Sequence, residues 1–274
     1  MRRILVIGIG PGSPDFVTMQ AVEAMNRADV FFLPDKGGEK AELRTLRLEI
    51  LRRFVRRAEP AVVDVVIPER ARTERYRDDV DAWHAAVAAA YRARIEEHLA
   101  EGRTGALLVW GDPTLYDSAI RLVERLADSG LALDWEVIPG ISSVQVLAAR
   151  HRIPLNRIGE PVTLTTGRQL AEELPATDSV VLLDGAEGFL RPGIEDLELF
   201  WGAYLGMADE VLISGRAGDV AATIRDTRRR LRAEKGWIMD AYLLRRPPED
   251  ASPRSSPGSR QDESRQDEGR QDEG

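Results

Sequence analysis

Ile4-Leu5-Val6-Ile7-Gly8-Ile9-Gly10-Pro11-Gly12-Ser13-Pro14-Asp15 is the stretch on which the fold turns. Its first half is a short apolar, mostly β-branched run, as a buried parallel strand requires, and its second half is a loop of glycine and proline. A dinucleotide fingerprint starting at Gly8 would need a third glycine where Ser13 stands, and Pro14 follows where the helix should open. A phosphate-binding P-loop fails as well, because no Gly-Lys-Ser/Thr closes the segment. What remains is a loop in which glycine lets the backbone approach a ligand or take positive φ while proline stiffens the turn. A tight strand-to-helix turn with no ligand is the alternative.

Working outward, short apolar runs alternate with longer helical patterns. Ile4–Ile9, Val30–Leu33, Ala61–Ile67, Ala106–Trp110 and Trp135–Ile138 read as strands. Thr18–Ala28, Ala41–Val55, Thr73–Ala100, Leu115–Ser129 and Ser142–Arg150 read as helices. In the longest, Val80, Trp83, Val87, Tyr91, Ile95 and Leu99 recur at steps of three or four and make one apolar stripe. The alternation predicts an α/β domain with a mainly parallel sheet over 1–153. After Pro154, strands at Val162–Thr165, Ser179–Leu183, Glu198–Leu205, Glu210–Ile213 and Ile238–Leu244 and a helix at Asp219–Glu234 predict a smaller α/β domain over 157–246. A cleft between two such domains is where a small-molecule site is expected.

From Pro247 onward the composition turns to Ser, Pro, Gly and charge, and Arg-Gln-Asp-Glu recurs at 260–263, 265–268 and 270–273. That segment buries too little apolar surface to offset its chain entropy, so 247–274 is expected to be disordered. It carries half of the net charge of −8. Neither part has the basic balance of a nucleic-acid binder, and Arg52-Arg53, Arg56-Arg57 and Arg228-Arg229-Arg230 read as solvated helix faces. No apolar run reaches the ~18 residues that cross a bilayer, and the N-terminus is too short for a signal segment, so a cytoplasmic location is expected. The 274 residues contain no cysteine, which excludes thiolate catalysis, disulfides and cysteine metal sites. His84, His98 and His151 lie far apart and read as packing residues, so no metal is expected. Trp83, Trp135 and Trp237 read as core or interface.

Two more loops follow predicted strands. Gly111-Asp112-Pro113-Thr114-Leu115-Tyr116-Asp117-Ser118 and Pro139-Gly140-Ile141-Ser142-Ser143 stand at carboxyl ends, where ligands gather in open α/β sheets. Asp112, Thr114 and the serines are equally good helix caps. Three such loops on one sheet are less easily accidental than one.

In that order and spacing, Gly-x-Gly-Pro-Gly-x-Pro-x-x-x-Thr at 8–18, Gly-Asp-Pro-x-x-Tyr at 111–116 and Pro-Gly-Ile-Ser-Ser at 139–143 resemble the tetrapyrrole methylases, over roughly 3–246. The resemblance implies two α/β domains with a cofactor cleft between them, methyl transfer from S-adenosylmethionine to a carbon of a porphyrinoid ring, no metal, and a homodimer. Phe31–Gly37, Leu115–Ser118, Trp201–Gly206 and Met239–Leu244 narrow it to a branch that methylates C-1 of a precorrin and releases an extruded two-carbon unit as acetate. A methylase acting on another precorrin or on a protein side chain, as diphthine-forming relatives do, is the enzymic alternative. A non-catalytic porphyrinoid carrier is the third.

Carried over by position, the resemblance makes Gly10 and Pro11 the floor of the cleft, touching substrate, with Pro11 also at the cofactor. Gly111, Asp112 and Pro113 would hold the methionine part, Tyr116 would pack nearby, and Ser142 and Ser143 would meet the cofactor carboxylate. Leu183-Asp184-Gly185 falls where relatives place an apolar residue before glycine at the adenine. There Asp184 departs from the pattern: the contact is made by backbone, or Asp184 bonds adenine or ribose, or the register is shifted by one. Tyr204 and Ala241 are further candidates for that wall. Asp35, Tyr116 and Asp117 are the candidates for proton handling, and Lys36 and Arg44 for the macrocycle's acidic side chains. Asp35 and Lys36 as turn residues, and Asp117 as a helix-start residue, are the plain alternatives.

Overall fold

A computed structural model describes residues 1–35, 37, 41–57, 59–69 and 76–247 and contains two five-stranded sheets. The first is built from β1 (Arg2–Gly8), α1 (Met19–Arg27), β2 (Val30–Asp35), α2 (Ala41–Phe54), β3 (Ala61–Val66), α3 (Tyr76–His98), β4 (Thr104–Val109), α4 (Ala119–Asp128) and β5 (Leu133–Ile138). All its pairings are parallel, in the order β3-β2-β4-β1-β5. Ile4, Leu5, Val6 and Ile7 of β1 are fully buried, because helices cover both faces of the sheet. Met25 of α1 and Ile50 of α2 pack with Leu5, Ile7 and Leu108 on one face. The stripe Val87, Tyr91 and Ile95 of α3, continued by Leu99 just past its end, packs with Val123 of α4 on the other.

The helix that follows β5, α5 (Ser143–His151), leaves this sheet and packs on the second: Val144, Val146 and Leu147 meet Val180, Leu182, Ala241 and Leu243. That sheet holds β6 (Val162–Thr166), β7 (Asp178–Leu182), β8 (Glu198–Ala203), β9 (Val211–Arg216) and β10 (Asp240–Arg245), in the order β6-β7-β10-β8-β9. Only β6 and β7 are parallel, and the remaining pairs are antiparallel. Two helices accompany it, α6 (Gly167–Glu172) and α7 (Ala217–Lys235).

The strands and long helices fall where the sequence pattern puts them, with two differences. The helix expected from Leu115 begins only at Ala119, because Tyr116 takes φ +52 and holds 112–118 as a loop. The short α6 has no apolar period to announce it; its one sequence sign is Thr166, whose hydroxyl accepts the Gln169 N–H as a helix cap. The repetitive segment beyond Pro247 lies outside the described residues, as does Lys36.

Candidate active site

The three glycine loops meet at the carboxyl ends of β1, β4 and β5, and they meet main chain to main chain. Gly10 and Gly111 form an antiparallel bridge, with Gly111 N–H donating to the Gly10 carbonyl at 2.9 Å. A Cβ on Gly8 would stand 2.6 Å from the Gly140 nitrogen, and one on Gly140 would stand 2.3 Å from the Gly111 oxygen. No side chain fits at either place. Asp112 sews the second loop to the third: one carboxylate oxygen accepts the Gly140 N–H at 2.8 Å, and the other accepts the Thr114 N–H at 2.8 Å and the Thr114 hydroxyl. Gly12 carries the first loop against the second sheet, where a Cβ would stand 2.5 Å from the Leu205 carbonyl.

Above these loops and between the sheets lies a cavity of about 720 Å³. That is within the range of small-molecule sites. It is lined by Pro11, Asp35, Arg44, Gly111, Asp112, Tyr116, Asp117, Ser142, Ser143, Tyr204 and Ala241, all singled out from the sequence. Gly111 sits at φ +71 with no protein atom within 4 Å of where a Cβ would be, so its open flank belongs to the cavity. A ligand can lie directly on that backbone.

Several of these groups already have partners. The Tyr116 hydroxyl donates across the cleft to the Leu164 carbonyl on β6 at 3.1 Å, so this half-exposed ring straps one sheet to the other. The Ser142 N–H and hydroxyl both donate to the Gln145 side-chain oxygen, at 2.7 and 2.6 Å, which fixes the start of α5. Asp35 accepts the Gly37 N–H at 3.0 Å, and Asp117 accepts the Ala119 N–H at 2.6 Å. Arg44 forms a two-pronged ion pair with Asp64 at 2.9 and 2.8 Å, which holds the Asp64 carboxyl below its usual range.

Four of the sequence candidates do not line the cavity. Gly10 and Pro113 are buried beneath it, where they support the loops. Asp184 points away from it into the second sheet's interior: its carboxylate accepts the Ala186 N–H at 3.1 Å, the Gly188 N–H at 2.7 Å and the Tyr242 hydroxyl at 2.7 Å. Leu183, one residue earlier, lines the cavity in its place, at φ +52 and largely exposed. The shift by one residue explains why an acid occupies an otherwise apolar pattern: Asp184 ties down the turn that presents Leu183. Gly185 faces open space outside the cavity lining.

The structure also adds residues. Asp240 lines the cavity from beneath, buried against the Arg228 guanidinium at 2.7 Å and the Trp201 Nε1–H at 2.8 Å, and its pKa is raised by that burial. Trp83 and Tyr91 of the α3 stripe, which the pattern assigns to core, line it too, as does Arg47. Nothing in the spacing of α2 separates Arg47 from the exposed arginines around it.

Comparison with known proteins agrees with this geometry. Residues 3–221 match the model of the tetrapyrrole (corrin/porphyrin) methylases. The chain is 51% identical over 251 residues to a Sinorhizobium precorrin-6A synthase (deacetylating), covering 90% of this chain and 96% of that protein. Among solved structures, a cobalamin synthesis related protein from Corynebacterium diphtheriae superposes with a TM-score of 0.78 at 38% identity, covering 89% of this chain and 98% of that one. A Thermus thermophilus uroporphyrin-III C-methyl transferase, solved with S-adenosyl homocysteine, shares the fold at 16% identity, with a TM-score of 0.57 and 89% and 92% coverage.

Proposed function

The chain belongs to the tetrapyrrole (corrin/porphyrin) methylases, and from that premise we propose that it converts precorrin-5 to precorrin-6A, methylating C-1 from S-adenosylmethionine and releasing acetate. The observation that carries this reading is the 51% identity to the deacetylating Sinorhizobium enzyme along nearly the whole of both chains. The geometry supports it. When bound, S-adenosylmethionine supplies a methyl group on a sulfonium, which a ring carbon displaces in line.

The first-sheet side of the cavity suits the methionine part: the Gly111 backbone is open to it, and Ser142 and Ser143 stand at the N-terminus of α5, whose free amides favour a carboxylate. Leu183, Leu205, Met239 and Ala241 offer the apolar wall an adenine needs, with Tyr204 held behind by its hydroxyl on the Trp237 carbonyl at 2.6 Å. The role for Asp184 is to set the Leu183 turn rather than to touch the cofactor. Such a transfer is catalysed by holding donor and acceptor in attack geometry, and it needs no metal. Among the described residues no cluster of three metal-ligating side chains occurs.

Of the carboxylates on the cavity wall, Asp35 and Asp117 are our candidates for taking a proton, since Asp112 is held by the loop amides and Asp240 by Arg228, whereas the Tyr116 hydroxyl serves as the strap described above. Arg44, paired with Asp64, presents its charge at the rim for acidic side chains of the macrocycle, and Lys36, eight positions earlier in the sequence, is the second candidate for them. The two spans 1–153 and 157–246 then act as two domains closing on cofactor and ring, with α5 of the first span packed on the second sheet. A cytoplasmic homodimer completes the proposal; among the described residues no helix is long and apolar enough to cross a membrane.

Incubation of the purified protein with methyl-labelled S-adenosylmethionine and precorrin-5 tests the reading, with the macrocycle and acetate followed by mass spectrometry. Labelled macrocycle with one acetate per methyl is the expected result. Turnover of another precorrin, with none of precorrin-5, would replace the substrate and keep the family.

A further inference from the structure

The ladder between β2 and β4 ends early. Pairing runs only from Val30–Gly105 to Phe32–Leu107, and beyond it the strands part. Their following helices lie on opposite faces, with α2 against Leu108 and α4 against Leu107 and Val109, so a crevice opens at this point of the sheet. Arg47 of α2 fills its mouth. Its Nε donates at 3.0 Å to the Leu108 carbonyl, which faces the side that β2 has left, and its Nη1 donates at 3.0 Å to the Leu43 carbonyl.

Arg47 as a residue is only 8% exposed, and it lines the cavity. It forms no ion pair among the described residues, and no described acceptor bonds its Nη2. A buried cation with no ion-pair partner is costly, and an arginine stays charged under such burial. Burial pulls its pKa down, opposed by the charge of the Asp117 carboxylate. The cavity wall beside Tyr91 is an apolar recess: Phe32, Val87, Leu107 and Val109 cluster with the Tyr91 ring, and Ile67 and Leu122 pack against them. Tyr91 also faces this recess, and its burial keeps the phenol protonated and able to donate.

We infer that Arg47 is a carboxylate-binding residue, and that the recess beside it takes the two-carbon acyl unit as acetate leaves. This rests on the proposed acetate release. In that step the oxygen of water bonds to the acyl carbon, and the bond from acyl carbon to C-1 breaks. The electron pair stays on C-1, which takes the methyl as the sulfonium carbon–sulfur bond breaks. One proton leaves with the addition of water and a second when acetic acid ionises. Arg47 Nη2 donates to the acyl oxygen as it gains charge and then to the acetate. The same chemistry would also hold an acid side chain of the macrocycle, and the experiment separates the two sources.

Arg47→Gln and Arg47→Lys are compared with the parent, all as S-adenosylhomocysteine complexes, for 13C-acetate binding by NMR line broadening and for precorrin-5 turnover. The affinity for S-adenosylhomocysteine reports whether each variant is folded. The expected result for Arg47→Gln is unchanged S-adenosylhomocysteine affinity, acetate binding weakened at least tenfold, and kcat lowered about 100-fold or more, as for loss of one oxyanion donor. Arg47→Lys recovers part of both. A raised KM with unchanged kcat and unchanged acetate binding would overturn the acyl recess and assign the site to a side-chain carboxylate. Unchanged acetate binding and kinetics overturn the inference altogether. If Arg47→Gln does not fold, the parent protein decides: no acetate binding to its S-adenosylhomocysteine complex overturns the recess. A parent that binds acetate through Arg47 but ignores precorrin-5 condemns the proposed substrate and not the site.

Discussion

The two walls of the cleft are made of different material. On the first sheet the wall is main chain: Gly8, Gly111 and Gly140 bring three loops into contact at distances no side chain tolerates. On the second sheet the wall is held by side chains: Arg228 joins Asp240, Glu187 and the Asp184 carbonyl, while Asp184 joins Tyr242. A backbone-built wall is specified by what is missing from the sequence, and it shows as glycine at fixed places. A network is specified by partners that lie 12 to 58 residues apart, so no single stretch displays it.

The largest effect is expected where the side-chain wall loses the buried Arg228 cation that joins its network. Arg228 and Asp240 have side chains 7% and 4% exposed, and Arg228→Met leaves the Asp240 carboxylate buried without its charge partner. Removing one member of such a pair costs about 3–5 kcal/mol. Urea denaturation of Arg228→Met should show a loss of that order, and adding Asp240→Asn should restore part of it. A double variant as unstable as the sum of the two single variants would mean that the network is not acting as a unit.

The main-chain wall should break at a smaller cost and with a sharper contrast. Gly140→Ala puts a methyl group 2.3 Å from the Gly111 oxygen, whereas Gly185→Ala puts one where nothing lies within 4 Å. Overpacking of this kind costs roughly 1–3 kcal/mol and displaces the loops. Calorimetric titration with S-adenosylhomocysteine should find Gly140→Ala binding at least tenfold more weakly and Gly185→Ala unchanged. Equal affinities would show that the loop contact is not what shapes the site.

This contrast also explains what could be read from the chain alone. The strands of the parallel sheet are continuous apolar runs, and the three loops carry glycine and proline in order, so architecture and the first-sheet wall were both legible. Asp184 was misleading because an acid in an apolar pattern looks like a ligand contact, when its carboxylate is spent on Ala186, Gly188 and Tyr242. Tyr91 and Trp83 fall on a helical stripe whether they face core or cavity, and periodicity does not distinguish the two. Arg47 was invisible for a stronger reason: its burial follows from where β2 and β4 part, which is a property of the sheet and not of α2.

The seam between the walls gives the smallest effect and tests whether they respond together. The helix α5 is capped by Ser142 beside the main-chain wall and ends at His151, whose Nε2–H donates to the Trp201 carbonyl on β8 at 3.0 Å. The ring stands edge-on to Phe200 at 5.5 Å. Burial lowers its pKa, more than the Trp201 carbonyl and Glu210 raise it. In the unfolded chain the imidazole takes its proton near pH 6.5, whereas the folded protein resists until lower pH, so between those points the unfolded state holds more protons. The neutral ring therefore contributes stability that is fully present above about pH 6.5 and is lost as the pH falls from there toward the folded pKa. His151→Gln keeps a donor for the Trp201 carbonyl without a titration, so its Tm should fall less than that of the parent between about pH 7 and pH 5. Parallel Tm profiles for the two proteins would remove His151 from the pH response and leave the seam held by the apolar packing of Val144, Val146 and Leu147 alone.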